Sequence, residues 1–364
     1  MTSNLHRVAQ AGQSVWSDSI SRKMLDSGEL SRRISDDAVT GVTSNPTIFG
    51  KAISGSDDYD GQLREMAERD ASPEEVITAL MSTDIQRACD VMAQVHQQTD
   101  GRDGFVSVEV TPTLAHDTEA TISEAREWVK RIDRPNLLVK VPATKAGLPA
   151  IRRLIGEGIS INVTLIFSLD RYREVMASYL DGIEDFIGTG GDPAKVASVA
   201  SFFVSRMDAE VDERVRQIGT EEALELQGKT AIANTRLAYE AFLETFRGER
   251  WQRLVSQGAR MQRPLWASVG TKDPSYPDTL YVHELIAPHT VSTMPLDVID
   301  AYQDHGPTPV HFGPEEIAAA HTTLQKMGEV GVDYDDVMRV LEDEGVEQFV
   351  NSWNDLVSDV GSQL

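Results

Sequence analysis

Leu137-Leu138-Val139-Lys140-Val141-Pro142 places a single ammonium group inside an otherwise apolar, partly β-branched run. A run this short and this apolar reads as a strand buried on both faces, because a core helix needs ten or more residues. Similar runs lie on either side, at Phe105–Val110 and Ile159–Ile166, and further out at Ser14–Ser19, Ala38–Ser44, Ala197–Phe203, Leu265–Val269 and His289–Thr293. The intervening segments are helical. Ser72-Pro73-Glu74-Glu75 joins an N-cap serine to proline at the first helical position and a glutamate three residues on, starting a helix towards Gln98. Asp117–Ile132 sets Ile122, Ala125 and Val129 on one face, and Ser168–Phe186 repeats the arrangement. Gly219–Phe246 is too long for one crossover and predicts an insertion or a helix pair; Pro295–Leu364 is helical, broken near Gly331-Val332-Asp333. Strands alternating with helices give a parallel sheet, and eight of them match the number that closes a barrel. The expected fold is α/β, a (β/α)8 TIM barrel with additional helices at the C-terminus. Residues 1–364 are expected to form one domain, with its barrel core at about 14–300 and the helices of about 301–364 packed on it.

Composition narrows the function. A formal charge of -24 and a pI near 4.7 leave no broad basic surface for nucleic acid or an anionic membrane, so any cations serving an anionic ligand must be focused in one pocket. Cys89 is the only cysteine, which excludes an intrachain disulfide and a cysteine-built metal site. The start, MTSNLHRVAQAGQSVW, has no apolar signal core, and no stretch reaches the ~20 apolar residues that span a bilayer. A cytoplasmic protein is expected.

Barrel enzymes keep their chemistry at the C-terminal ends of the strands. Polar residues gather there: Asp18 late in strand 1; Thr43, Ser44 and Asn45 ending strand 2; Glu109 ending strand 3; Lys140 within strand 4; Asn162 and Thr164 in strand 5; Ser201 and Arg206 from strand 6. A buried, unpaired ammonium is costly, so Lys140 is either a lysine that sheds its proton and becomes a nucleophile, or the structural partner of Glu109. Asp18 and Glu109 are two carboxylates expected on one rim and suited to divide acid and base roles; each is also readable as a solvated strand end. Thr-Ser-Asn-Pro at residues 43–46 is equally readable as a turn.

Five of these segments, taken together, resemble the transaldolases. Gly41-Val42-Thr43-Ser44-Asn45-Pro46-Thr47 is similar to the family's strand-2 signature and Val106-Ser107-Val108-Glu109-Val110 to its strand 3. Leu138 to Thr144 resembles its Schiff-base strand, Ile161 to Ser168 its strand 5, and Val199 to Arg206 the segment leading to a phosphate-binding arginine. The resemblance runs in order over about residues 14–300, and motifs in register are more specific than any one alone. It implies a transaldolase of the pentose phosphate pathway. Such an enzyme moves a dihydroxyacetone unit from sedoheptulose 7-phosphate or fructose 6-phosphate to glyceraldehyde 3-phosphate or erythrose 4-phosphate, with no cofactor and no metal. By the same resemblance Lys140, Glu109, Asp18 and Thr164 are catalytic, and Asn45, Thr43, Asn162, Ser201, Phe203, Arg206, Ser268 and Lys272 bind substrate. The partners expected are sugar phosphates, with no nucleic acid and no membrane, and the chain is expected as a monomer or homodimer.

One departure stands out. Many relatives carry an arginine shortly after the Ala-Ser of strand 7, whereas Ala267-Ser268 is followed here by Val269-Gly270-Thr271-Lys272. Lys272 is the candidate replacement, with a point charge in place of a guanidinium fork. The nearest rival activity is a lyase of the same superfamily that cleaves or forms fructose 6-phosphate without a second sugar. It carries glutamine where Glu109 stands and tyrosine where Phe203 stands. A catalytically silent barrel that only binds sugar phosphates is the rival of another class.

Three further signals are set aside. His283-Glu284 followed by His289 lacks the spacing that puts two ligands on adjacent helical turns, Gly188-Thr189-Gly190-Gly191 follows a helix and not a strand, and the acids of Asp333–Glu344 read as a solvated helical face.

Overall fold

The computed structural model describes residues 3–364 and contains a closed barrel of eight parallel strands in chain order. They are β1 (Gln13–Ser17), β2 (Val39–Val42), β3 (Phe105–Glu109), β4 (Leu137–Pro142), β5 (Ile161–Ile166), β6 (Ser198–Phe203), β7 (Arg263–Ala267) and β8 (Thr290–Met294). β8 closes on β1 from Gln13↔Thr290 to Ser17↔Met294. The register aligns Glu109 with Lys140 and Lys140 with Asn162, so three of the expected site residues share one level of the wall.

The N-terminal half carries α1 (Asn4–Gln10), α2 (Arg22–Asp26), α3 (Glu29–Asp36), α4 (Pro46–Ser54), α5 (Asp60–Ala67), α6 (Pro73–Gln98), α7 (Thr118–Ile132) and α8 (Gly147–Gly156). The rest carries α9 (Leu169–Gly188), α10 (Ser205–Ile218), α11 (Glu221–Leu224), α12 (Thr230–Arg247), α13 (Glu249–Val255), α14 (Leu280–Glu284), α15 (Leu296–His305), α16 (Pro314–Glu329) and α17 (Tyr334–Gly361). The capping box at Ser72 and Glu75 starts α6, and the long stretch after Gly219 divides into the pair α11 and α12. Gly331 at φ 94 and the Asp333 cap separate α16 from α17.

Some expectations are corrected. Asp18 stands one residue beyond β1, and Thr43, Ser44 and Asn45 follow β2 instead of ending it. Arg206 belongs to the first turn of α10 and not to β6. α7 turns Thr121, Ala125, Trp128 and Ile132 inward with Ile122, while Val129, at the edge of that arc, is exposed. The acids of α17 are not uniformly solvated, since Glu342 is half-buried and pairs with Arg171 at 3.5 Å.

The N-terminal end of the barrel is plugged. Arg263 of β7 donates to Ser14 of β1 at 2.8 Å and to Asp103, just before β3, at 2.9 Å, contacts between strands that are not neighbours and so cross the interior. The Trp16 indole donates to the same carboxylate at 2.9 Å and lies so close to Gly41 that a Cβ there would sit 2.4 Å from the ring. Glycine at position 41 is therefore a packing requirement of the tryptophan. α17 packs over the opposite end, against α4, α6, α10 and β5.

Candidate active site

Strand ends point into the C-terminal mouth, where a cavity of about 140 Å³ is lined by Asp18, Thr43, Asn45, Lys140, Thr164, Ser201, Phe203, Arg206, Ser268 and Lys272. These ten come from six strands or the segments that follow them. Glu109 and Asn162, also expected here, lie beneath the cavity. Asn162 is fully buried with both ends of its amide engaged: Nδ2 donates to Ser107 Oγ at 3.1 Å and Oδ1 accepts from Ser201 Oγ at 2.7 Å. Its geometry is that of a brace between β3 and β6. Asn45 caps α4 through Oδ1, which accepts from Ile48 N at 2.9 Å, so its amide NH2 is the end left for a ligand.

Lys140 projects from the middle of β4 into this wall and is buried. Its Nζ donates to the Ser44 carbonyl at 3.2 Å and lies 3.4 Å from Glu109 Oε2. Burial pushes the Glu109 carboxyl up to about 7, against the lowering pull of the Lys140 charge and its hydrogen bond. Around neutrality Glu109 can therefore give or take a proton. Its second oxygen, Oε1, and the hydroxyl of Thr164 are both buried and have no partner among the described residues. Asp18 is raised above the ordinary carboxylate range by burial, opposed by Lys140, by the hydrogen bond from Thr43 and by Lys272. Thr43 donates to Asp18 Oδ1 at 2.5 Å and sits 2.6 Å from the Thr293 hydroxyl, a contact that fixes the carboxylate's direction.

Two cations face the same space. Burial lowers Arg206, though a guanidinium stays charged at any ordinary pH, and burial with the neighbouring Arg206 charge lowers Lys272. Neither forms an ion pair with a described carboxylate; those acting on them from further off are Glu344 and Glu109 for Arg206, and Asp297 and Asp18 for Lys272. On a chain of charge -24, two unpaired cations in one mouth form a localised anion site. Arg206 stacks over Phe203 at 5.0 Å, which holds the guanidinium plane.

Reading strand ends missed Thr293 and Phe349. Thr293 obeys the same rule as the others, a polar residue near the end of a strand, and that rule finds it in β8. Phe349 comes from α17: its ring centre lies 5.9 Å from Lys140 Nζ and 5.8 Å from the Arg206 guanidinium, roofing the cavity. The four-residue spacing of Val337, Leu341, Gly345 and Phe349 marks a buried face, yet nothing local says what it covers. Among the described residues no group of three His, Cys, Asp or Glu is arranged to hold a metal, and no helix is long and apolar enough to cross a membrane.

The family model described as Transaldolase/Fructose-6-phosphate aldolase matches residues 15–360. The chain belongs to this family. Relatives include a protein named Transaldolase from Thermobifida fusca (strain YX), 53% identical over 364 residues, covering 100% of this chain and 99% of that one. The Transaldolase of Acidothermus cellulolyticus is also 53% identical, covering 100% and 98% of the two chains. The Transaldolase of Mycolicibacterium smegmatis is 50% identical over 361 residues, covering 99% and 97%. The family description spans both the transferase and the lyase, so the choice between them rests on the relatives' names and on the residues of this mouth.

Proposed function

We propose that this chain is a transaldolase, with Lys140 as the Schiff-base nucleophile. The observation that carries the reading is an amine buried at the floor of a mouth whose rim holds two unpaired cations, with two carboxyls of raised proton affinity beside it. An amine needs such surroundings to meet a phosphorylated ketose and no other abundant electrophile.

The Lys140 amine attacks the C2 carbonyl of the ketose and forms a C–N bond. Glu109 supplies the proton with which the carbinolamine hydroxyl leaves as water, through a water held between its unpartnered oxygen and the Thr164 hydroxyl. The resulting iminium draws electrons as Asp18 takes the proton from the C4 hydroxyl. The C3–C4 bond breaks and the aldose phosphate departs, leaving a three-carbon enamine on Lys140. This enamine attacks the aldehyde carbon of the acceptor, Asp18 returns the proton to the new alkoxide, and water releases the ketose and the free amine. The Asn45 amide donates to a hydroxyl of the retained fragment, while Arg206 and Lys272 hold the phosphate of the departing and arriving sugars, with Ser201 and Ser268 beside them.

Borohydride reduction with fructose 6-phosphate should fix a dihydroxyacetone-derived adduct on Lys140, mapped by peptide mass spectrometry, and Asp18→Ala should instead accumulate the uncleaved fructose 6-phosphate Schiff base, because only bond cleavage is stopped. An adduct on another lysine removes Lys140 from the role. Failure of folded Asp18→Ala to form any adduct removes Asp18 from carbon-carbon chemistry. A coupled assay with erythrose 4-phosphate separates transfer from the lyase reading, which Glu109 and Phe203 disfavour because the lyase relatives carry glutamine and tyrosine there.

A further inference from the structure

Ser205, Asp208, Asp212 and Arg216 follow one another on α10 at the spacing i, i+3, i+7, i+11, which sets them along a single helix face. Each meets the connection from β7 to α14 or the first turn of α14. Ser205 N donates to the Ser268 carbonyl at 3.0 Å, and the two hydroxyls lie 3.0 Å apart. The Tyr281 hydroxyl donates to Asp208 Oδ2 at 2.9 Å, the Tyr276 hydroxyl to Asp212 Oδ2 at 2.5 Å, and Arg216 to Asp273 at 2.9 Å. The segment 268–281 is thus fastened at both ends and twice between.

The carboxylates of this ladder face inward as well. Asp208 Oδ1 accepts from Thr230 Oγ1 at 2.9 Å and Ala231 N at 2.7 Å, and Asp212 Oδ1 from Gly228 N at 3.1 Å. Gly228, at φ 67, leaves room for the Tyr276 ring, which a Cβ would approach to 2.9 Å. Ser268 holds a left-handed φ of 57, a strained turn for a non-glycine residue that the double contact with Ser205 stabilises.

The two cations of the mouth ride on the two elements that this ladder joins. Arg206 is in the first turn of α10; Lys272 is in the fastened segment, next to Asp273. A lysine has no guanidinium fork and hangs on a flexible stem, so its place must come from its backbone. We propose that the ladder is a positioning device for phosphate: Asp208, Asp212 and Arg216 hold the segment so that Lys272 stands opposite Arg206 and the two close on one phosphate group. Ser268 alone among the ladder residues lines the cavity; Asp208, Asp212 and Arg216 lie outside it and act through the segment they hold. The inference rests on the reading of Arg206 and Lys272 as phosphate-binding cations.

Tyr276→Phe removes one rung without opening a cavity, and Tyr281→Phe removes another; thermal unfolding checks that each full-length variant is folded. Transfer to saturating erythrose 4-phosphate, so that the acceptor's own phosphate does not limit the rate, is measured with fructose 6-phosphate and with unphosphorylated fructose as donors. Inorganic phosphate is titrated as an inhibitor competitive with fructose 6-phosphate. For Tyr276→Phe the KM for fructose 6-phosphate and the inhibition constant for phosphate should rise together by about 3- to 10-fold, the span of one hydrogen bond. The kcat and the use of fructose should stay unchanged. Lys272→Ala should then cost less in the Tyr276→Phe background than in the parent. An unchanged phosphate constant in both tyrosine variants, equal losses for both donors, or full additivity with Lys272→Ala overturns the proposal. If Arg206→Ala and Lys272→Ala themselves affect both donors equally, the phosphate reading fails first; if they discriminate and neither tyrosine variant does, the ladder alone falls.

Discussion

At the N-terminal mouth of the barrel Asp103 has both oxygens filled, Oδ1 by Trp16 and Arg263 and Oδ2 by Ser14, and the guanidinium of Arg263 is spent on Asp103, Ser14 and the Arg102 carbonyl. At the C-terminal mouth, among the described residues, Glu109 keeps one buried oxygen without a partner, Thr164 keeps a buried hydroxyl without one, and Arg206 and Lys272 have no paired carboxylate. The same barrel therefore satisfies buried charge at one end and leaves it unsatisfied at the other, about one strand length away. An unmade hydrogen bond in a dry interior costs stability. The floor also keeps neutral amide oxygens without partners, at Gln13 and Gln262, but no unpaired charge among the described residues; of the two ends, the unpaired charges are confined to the mouth. The floor is built to hold the barrel shut, and the mouth to be finished by a ligand.

The comparison breaks if substitutions at the two ends act alike. The largest expected effect is that of Lys140→Ala, which should lower transfer by a thousandfold or more, roughly the loss on removing a covalent nucleophile. The same variant should melt near the parent temperature, since Glu109, left without Lys140, can take up a proton and stay neutral. A large drop in melting temperature would place Lys140 among the structural groups. Asp103→Ala should do the reverse, costing about 3–5 kcal/mol in chemical denaturation by stranding Arg263. Its kcat per folded molecule should stay near the parent value. A proportionate fall in kcat would show that the floor governs the chemistry directly.

Glu109→Gln sharpens the contrast through pH. The folded carboxyl titrates at about 7, above its ordinary 4.5, so the folded state favours the protonated form. Its contribution to stability is fully present below about pH 4.5 and is lost as pH rises to about 7, by the order of 3 kcal/mol. Denaturation curves at several pH values should show Glu109→Gln gaining on the parent across that window and running parallel above it. The rate should fall by about a hundredfold, and the limb near pH 7 in kcat should vanish. A parent and variant that track each other through the whole window would mean that Glu109 titrates at an ordinary value. The smallest effect is expected of Phe349→Leu, a near-isovolume exchange that thins the roof above the enamine. Free dihydroxyacetone, measured beside transferred product, should rise several-fold as solvent protonates the intermediate. Unaltered partition would make the ring a packing element only.

The barrel was legible because its strands are short β-branched runs held between helix caps. The strand ends were displaced by one or two residues for a physical reason: Asp18 N still bonds to Met294 O at 2.8 Å and Thr43 N to Ser17 O at 2.9 Å, so the extended path continues past the regular ladder. The mouth was largely readable from polar residues near strand ends. Asn162 was readable as a residue of β5, but nothing local reveals that Ser107 and Ser201 would engage both ends of its amide. The floor escaped notice altogether, because Ser14, Asp103 and Arg263 are far apart in sequence and ordinary in isolation. Phe349 escaped because its partner face belongs to strands synthesised two hundred residues earlier.

That last separation has a consequence in time. At translation rates of about 5–20 residues per second, the 55 residues from the end of β8 at Met294 to Phe349 take about 3–11 s to make. For those seconds a growing chain that has closed its barrel holds Lys140 under open sky. The anchor between Thr47 and Ser352, at 2.8 Å, is the contact that would end the interval by drawing α17 across the opening.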